Sequence, residues 1–187
     1  SVLFFAGTLT AGRYFRGTEI DTAARAIFER ADWPALLTSN RRYISMGWTP
    51  EHGMLAASWE NYCEHMILYL MAIASPKHPV PERLWHTWKR PIGEYAGHIS
   101  ITCGPLFTHQ YSHIWIDFRD KHDSYADYFE NSREATLANR QWCIDNRMYD
   151  ENGWGMNPTD GFSADGKPTY GDYGAPPAPN GSWQQGH

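Results

Sequence analysis

Trp59-Glu-Asn-Tyr62-Cys-Glu64-His-Met66-Ile-Leu-Tyr-Leu-Met-Ala-Ile-Ala74-Ser-Pro76 passes from an aromatic, polar approach straight into the longest uninterrupted apolar run of the chain, Met66 to Ala74. Nine residues fall far short of the roughly 20 that cross a bilayer, so the run is read as part of a buried helix. The pattern predicts a helix over 61–74, closed by Ser75-Pro76 because proline cannot continue the ladder of hydrogen bonds. Toward the N-terminus, Val2, Phe5 and Leu9, with Phe4, Thr8, Ala11 and Phe15, recur at threes and fours over 1–15, as in a helix with two buried faces. Gly17 stops it, Thr18 to Asp21 reads as an N-terminal box, and Ile20, Ala23, Ala24, Ile27, Phe28 and Ala31 form one stripe, which together describe a helical hairpin. Residues 33–37 suit a short helical turn, and 43–59, broken by Gly47, Pro50 and Gly53, an extended loop or small hairpin.

Toward the C-terminus, 81–88 reads as a weaker helix entered at Pro81, 89–103 as irregular chain and 105–115 as helical. Residues 124–147 carry Tyr125, Tyr128, Phe129, Ser132, Thr136, Asn139, Trp142 and Cys143 at helical spacing and form the longest predicted helix. Eight Gly and five Pro fall in 151–187, a Gly/Pro-rich loop or tail without periodicity. The expected class is therefore all-α: paired helices whose long aromatic and Gly/Pro-rich loops carry the function.

The chain's 187 residues suffice for a single domain with its own core, and 16 basic against 21 acidic residues leave a net charge of −5. That balance lacks the basic footprint that draws a domain to phosphate backbones or anionic lipid, so neither nucleic acid nor membrane is an expected partner. No charged leader or small-residue cleavage site opens the sequence. Cys63, Cys103 and Cys143 show no metal-site or disulfide-framework spacing and read as buried thiols. Nine Trp, eleven Tyr and eight Phe are too many for full burial, because Trp and Tyr tips need partners or water. An aromatic-walled cleft of the kind that holds sugar rings suits this composition, as does an aromatic-rich core.

Three segments could carry chemistry. Glu64 sits among rings, where desolvation favours the protonated acid that glycosidic cleavage requires; equally, Asn61-x-x-Glu64 reads as a capping box. The run Phe107 to Arg119 alternates His109, His113, Asp117 and Arg119 with rings, which suits either a polar pocket for sugar hydroxyls or a buried Asp117–Arg119 pair. His109 and His113 have i, i+4 spacing without the glutamate of a zinc-protease helix, so no metal is expected, nor any cofactor. Gly153-Trp154-Gly155 and Thr159-Asp160-Gly161 allow close backbone approach to a ligand, although such loops often serve only as turns. Nucleotide and acyl-transfer motifs are absent from the sequence.

In this order, LFFAGTLTAGRYF (3–15), MGWTPEHG (46–53), WENYCEHMILYLMAIASPKHP (59–79), PLFTHQYSHIWIDFR (105–119), DYFENSREAT (127–136), WGMNPTDG (154–161) and YGDYGAP (170–176) resemble the glycoamylase-like proteins. That family includes endo-β-1,2-glucanases and the C-terminal part of cyclic β-1,2-glucan synthases. The resemblance implies an (α/α)6 toroid, of which residues 1–187 are a single glycoamylase-like portion truncated at both ends, in a bacterial periplasmic or secreted protein. It implies a glycoside hydrolase acting on β-glucan, with β-1,2-glucan oligosaccharide or polysaccharide as partner. Glu64 falls on the acidic position of the W-x-x-Y-x-E segment and is the candidate general acid. Tyr62, His113, Trp115, Asp117, Arg119, Trp154 and Asp160 fall on motif positions near the cleft and are the candidate substrate-binding residues. Family members carry an acidic segment before the first motif and further helices after the last. The alternative functions are accordingly a non-catalytic glucan-binding module, or an inactive fragment completed by another chain or by further sequence. In either case an apolar surface is expected on the first helix and along the edge of 124–147.

Overall fold

The computed structural model describes residues 2–147, 152–155 and 159–171. They pack as two compact units, one built from residues 2–61 and 65–89, the other from 62–64 and the described residues from 90 onward. The chain is helix-rich but not all-α. Five α-helices and three short 3-10 turns are joined by three separate two-stranded antiparallel ladders among the described residues.

In the first unit α1 (Val2–Tyr14) and α2 (Glu19–Glu29) form the expected hairpin. Gly17 turns the chain at φ 81°, and Thr18 caps α2 by accepting the Ile20 N–H at 3.2 Å. Asp21 reaches past the cap to the Gly17 N–H at 3.1 Å and pairs with Arg25 at 2.7 Å. The helices cross at Gly12, where an added Cβ would stand 2.6 Å from that of Ala24. At Gly7, on the same helix, nothing lies within 4 Å of that position. Alanine at Gly7 is therefore expected to stabilise the chain by about 0.5–1 kcal/mol through helix propensity. Alanine at Gly12 should destabilise it by roughly 1–2 kcal/mol, because overpacking outweighs the same gain. Thermal unfolding of the two variants would show midpoint shifts of opposite sign.

Below the hairpin, Phe5, Phe28 and the buried Trp33 meet at centroid distances of 5.4–6.1 Å, with Trp33 in a 3-10 turn (Trp33–Leu36) capped by Asp32. The outer side of the hairpin stays apolar and open: Leu3, Phe4, Tyr14, Phe15 and Ile20 are all exposed. Next, β1 (Trp48–Thr49) pairs with β2 (Gly53–Met54).

Helix α3 (Met66–Ile73) begins five residues later than its apolar pattern suggests. Asn61 instead forms a parallel bridge with Lys89, and the Lys89 N–H donates to the Glu60 carbonyl at 2.8 Å. Asn61 and Glu64 thus precede the helix, and the capping box does not form. Six of the eight α3 residues are buried, as expected of a helix apolar on all sides. Tyr69 ties it to the preceding loops, accepting the Ile44 N–H at 3.2 Å and donating to the Trp59 carbonyl at 3.0 Å.

In the second unit, the stretch 89–103 is not irregular. β3 (Ile92–Tyr95) and β4 (His98–Ile101) form a four-residue antiparallel hairpin. Ala96 and Gly97, at φ 51° and 82°, make its two-residue turn. The sequence signal, a Gly closing a two-residue gap, was weakened by alanine in a left-handed position where Asn or Asp is usual. α4 (Phe107–Gln110) continues into a 3-10 turn (Tyr111–Ile114). α5 (Tyr128–Asp145) is the longest helix, its first turn capped by Asp127, which accepts from Phe129 N–H at 2.9 Å and Glu130 N–H at 3.0 Å. Tyr125 and Phe129, at its entry, are exposed. Within the presumptive tail, β5 (Thr159–Phe162) pairs with β6 (Pro168–Gly171). Residues 156–158 and 172–187, which include parts of two motifs, lie outside the described residues.

Candidate functional site

The segment 62–64 is held inside the second unit by polar contacts at fixed points. Tyr62 is 1% exposed, and its hydroxyl lies 3.3 Å from His109 Nδ1. The Asn131 side-chain amide donates to the same hydroxyl at 3.4 Å, and the Tyr62 ring stacks on Tyr128 at 6.3 Å. His109 Nε2 is 2.8 Å from the Cys103 carbonyl, which can only accept, so Nε2 carries the proton and Nδ1 accepts from Tyr62. Burial lowers the His109 pKa to about 4 and raises that of the Tyr62 phenol, so both rings are neutral across the physiological range. Asn131, on α5, also accepts the Ile101 N–H at 2.6 Å, tying β4 to the same cluster.

Glu64 is half-buried, and its backbone carbonyl accepts the hydroxyl of the fully buried Ser112 at 3.0 Å. Interaction with Cys103, burial and the Glu64 charge together push the neighbouring Cys63 thiol above the ordinary range. Glu64 is therefore a carboxylate positioned by its backbone in an irregular stretch ahead of α3. Helix capping, the competing reading of the sequence, is not available to it.

The cluster 107–119 divides in two. His113 is half-buried, its Nε2 3.0 Å from Ser132 Oγ, while the Ser132 hydroxyl donates to the His109 carbonyl at 2.7 Å. With that hydroxyl proton engaged, His113 donates from Nε2. Burial lowers its pKa, and the nearby Asp117 charge opposes the shift. The His113 ring packs on Phe118 at 4.7 Å and lines, with His109, Phe129, Ser132 and Leu137, an apolar cleft of about 310 Å³ along α5. Trp115 is half-buried, and its indole N–H finds no acceptor among the described residues. Asp117 and Arg119 do pair, at 2.8 Å, but at the surface: their side chains are 56% and 67% exposed. The Arg119 guanidinium and backbone N–H hold the Asp117 carboxyl well below the usual carboxylate range.

Trp154 is exposed, in a loop pinned to α5 where the Gly155 N–H donates to Asn139 Oδ1 at 3.1 Å. Gly155 adopts φ 86°, which a Cβ would strain. Asp160 is an exposed residue of β5. The structure thus brings Tyr62, Glu64 and His113 to one framework built on His109, Ser112 and Ser132, while Asp117 and Arg119 form their own exposed pair.

Sequence reasoning left out a second network in this unit. Arg90 donates from Nε to the Tyr128 hydroxyl at 2.8 Å, and that hydroxyl donates to Asp123 at 2.9 Å. The guanidinium carbon also lies 3.8 Å from the Tyr125 ring centroid. The signal was faint: Asp123 falls outside every predicted element, Tyr125 reads as part of the 124–147 helix, and Arg90 as part of irregular chain.

Comparison with known proteins places these motifs in context. A family model, Glycoamylase, described as "Putative glucoamylase", matches residues 56–186. The exo β-1,2-glucooligosaccharide sophorohydrolase (non-reducing end) of Parabacteroides distasonis is 24% identical over 194 residues, covering 83% of this chain and 27% of its own length. Among solved structures, a Bacteroides uniformis protein described as a "putative glucoamylase" superposes with TM-score 0.80 at 29% identity, covering 93% of this chain and 46% of that one. The endo-β-1,2-glucanase of Chitinophaga pinensis, solved with sophorotriose and glucose, superposes with TM-score 0.76 at 24% identity over 92% of this chain and 46% of that one. The chain spans about a quarter of the sophorohydrolase and about half of each solved relative. It shares their fold over that span.

Proposed function

The chain belongs to the glycoamylase family, and from that premise we propose that it is the part of a glycoside hydrolase that binds and protonates β-1,2-glucan, with Glu64 as the general acid. The observation that carries the proposal is the placement of Glu64. It is half-buried, clear of α3 and fixed through Ser112 to the cluster 107–114. A carboxylic acid in that position gives its proton to the glycosidic oxygen as the bond to the anomeric carbon breaks. Hydrolysis by either stereochemical route uses a second carboxyl group across the bond. In this reading it comes from the half of the fold that the solved relatives have beyond this chain.

Tyr62, wholly enclosed, acts as a positioning residue for segment 62–64. His113, Trp115, Asp117, Arg119, Trp154 and Asp160 remain the proposed contacts to sugar. Asp117 and Arg119, exposed and fully charged, suit hydroxyl recognition, and Trp154 offers a ring face. The helix-rich units are proposed to form part of an (α/α)6 toroid that another chain or further sequence completes, with the open face of α1 as one covered surface. A periplasmic or secreted location follows from the same family reading. No helix among the described residues is long and apolar enough to cross a membrane.

Incubation of the chain, together with the sequence proposed to complete the toroid, with β-1,2-gluco-oligosaccharides tests the assignment. Release of reducing sugar is the expected result; saturable binding without product supports the glucan-binding alternative, and neither binding nor release overturns both. Trp154→Ala separates ring contact from scaffold. With circular dichroism unchanged, the variant should bind these oligosaccharides roughly fivefold more weakly, the ratio corresponding to about 1 kcal/mol of ring contact. An unchanged dissociation constant from fluorescence titration would remove Trp154 from the binding surface.

A further inference from the structure

The turn that leads into α5 holds one aromatic residue out toward solvent and braces it from behind. His122 and Asp127 bridge across the turn, and the Asp123 N–H donates to the Ala126 carbonyl at 3.1 Å. Asp123 Oδ1 accepts the N–H of Tyr125 at 2.7 Å and that of Ala126 at 3.0 Å. An aspartate that binds backbone N–H groups two and three residues on fixes such a turn by itself. Tyr125 is therefore set by its backbone, and the residue is 46% exposed. The Arg90 guanidinium carbon stands 3.8 Å from the centroid of its ring, over one face, while the Arg90 side chain is only 6% exposed. The covered face thus points into the second unit, and the exposed area belongs to the opposite face and the rim. Arg90 is fixed in turn. Its Nε donates to the Tyr128 hydroxyl at 2.8 Å, and that hydroxyl donates to Asp123 Oδ2 at 2.9 Å. The Tyr62 ring lies within 10° of parallel to the Tyr128 ring, so Tyr125 and segment 62–64 are built on the same residue.

We propose that Tyr125 is a carbohydrate-stacking residue, a platform on which one glucosyl ring of a β-linked glucan lies flat. This rests on the reading of the chain as part of a β-1,2-glucan hydrolase and adds to it a subsite that lies outside the motif segments. β-Linked glucose carries its ring substituents equatorially, so both faces of the pyranose present axial C–H groups. Those hydrogens bear partial positive charge and are drawn to the negative face of an aromatic ring, as the edge of one ring is drawn to the face of another. A platform has to expose one face, and it has to hold its orientation before the sugar arrives, because side-chain freedom lost on binding counts against affinity. Tyr125 meets both conditions. Its outer face is exposed, and the guanidinium behind it holds the ring through attraction to the inner face. Arg90 and Asp123 act through the ring and the turn and are positioning residues.

Isothermal titration of β-1,2-gluco-oligosaccharides into the chain, together with the sequence proposed to complete the toroid, tests the platform. Tyr125→Leu keeps the backbone N–H that Asp123 binds and much of the apolar bulk but has no ring face. It should bind roughly three- to tenfold more weakly, the range of a single ring contact. Tyr125→Phe should bind like the wild type, and Tyr125→Trp at least as tightly. That order, independent of the unfolding midpoints of the four proteins, supports stacking, since a purely structural role would tie affinity to stability. Equal affinity of Tyr125→Leu and wild type overturns the platform and leaves the glucan-binding reading intact. A loss in Tyr125→Phe as large as in Tyr125→Leu also overturns it, because the phenol hydroxyl would then make the contact. Absence of binding by the wild-type protein overturns the glucan reading and the platform with it. The ring-proton resonances of Tyr125, assigned by their disappearance in Tyr125→Phe, should in addition shift when the oligosaccharide is added to the wild-type protein. Unmoved resonances under saturating oligosaccharide overturn the platform even where Tyr125→Leu folds poorly.

Discussion

In a complete active form of the protein, Glu64→Gln is expected to lower the rate of reducing-sugar release from β-1,2-gluco-oligosaccharides by about 10²–10⁴, the range that general acid catalysis typically contributes. The substitution is nearly isosteric, and the contact that anchors residue 64 to Ser112 uses the backbone carbonyl, which glutamine retains. Fold and oligosaccharide affinity should therefore survive while the transferable proton is lost. A second substrate makes the test specific to proton donation. An aryl glycoside with a good leaving group departs without protonation, so its bond-breaking step should slow far less in the variant than that of the natural linkage. Equal losses on both substrates would assign Glu64 a different role, and retention of activity within about tenfold on the oligosaccharide would place the acid elsewhere.

Between pH 7.5 and pH 5 the wild-type chain should lose about 2 kcal/mol more unfolding free energy than His109→Gln. Burial holds His109 neutral down to a pKa of about 4 in the folded state, whereas in the unfolded chain it takes up a proton near 6.5. Above pH 6.5 neither state binds that proton and stability is unaffected. Below it the unfolded state gains the proton first, so stability falls by about 1.4 kcal/mol per pH unit until the folded histidine also protonates. His113, lowered by burial in the same direction, adds to the loss in both proteins and cancels in the comparison. Asp21, Asp117 and Asp165, all held below 3.8 by hydrogen-bonded basic partners, release their contributions only at lower pH. Glutamine can keep the donor to the Cys103 carbonyl while carrying no titratable proton. Urea unfolding at the two pH values measures the difference; parallel losses would mean that His109 is already charged inside the fold. Against a total stability of about 5–15 kcal/mol, the effect is large enough to make the fold acid-sensitive.

Local regularities were legible along the chain itself. The α1–α2 hairpin, with Gly17 as its turn and Thr18 as its cap, follows from apolar spacing and from residues that act on their own neighbours. The same holds for the helical stretch 107–114 and for α5. Tertiary context decided the rest. Asn61 to His65 has the signature of a helix entry, but Asn61 bridges to Lys89 and Tyr62 is drawn to His109 and Asn131, so the helix waits until Met66. The β3–β4 hairpin exists because Ile101 N–H finds Asn131 and Ser100 and Ile101 are buried in the second unit, a partner that no local window contains. Whether Asp117 and Arg119 lie in a core or on a surface depends likewise on long-range packing. Periodicity and capping are interactions between residues a few positions apart and can be read in one dimension. Burial and the pairing of distant donors and acceptors are settled only when the chain closes on itself.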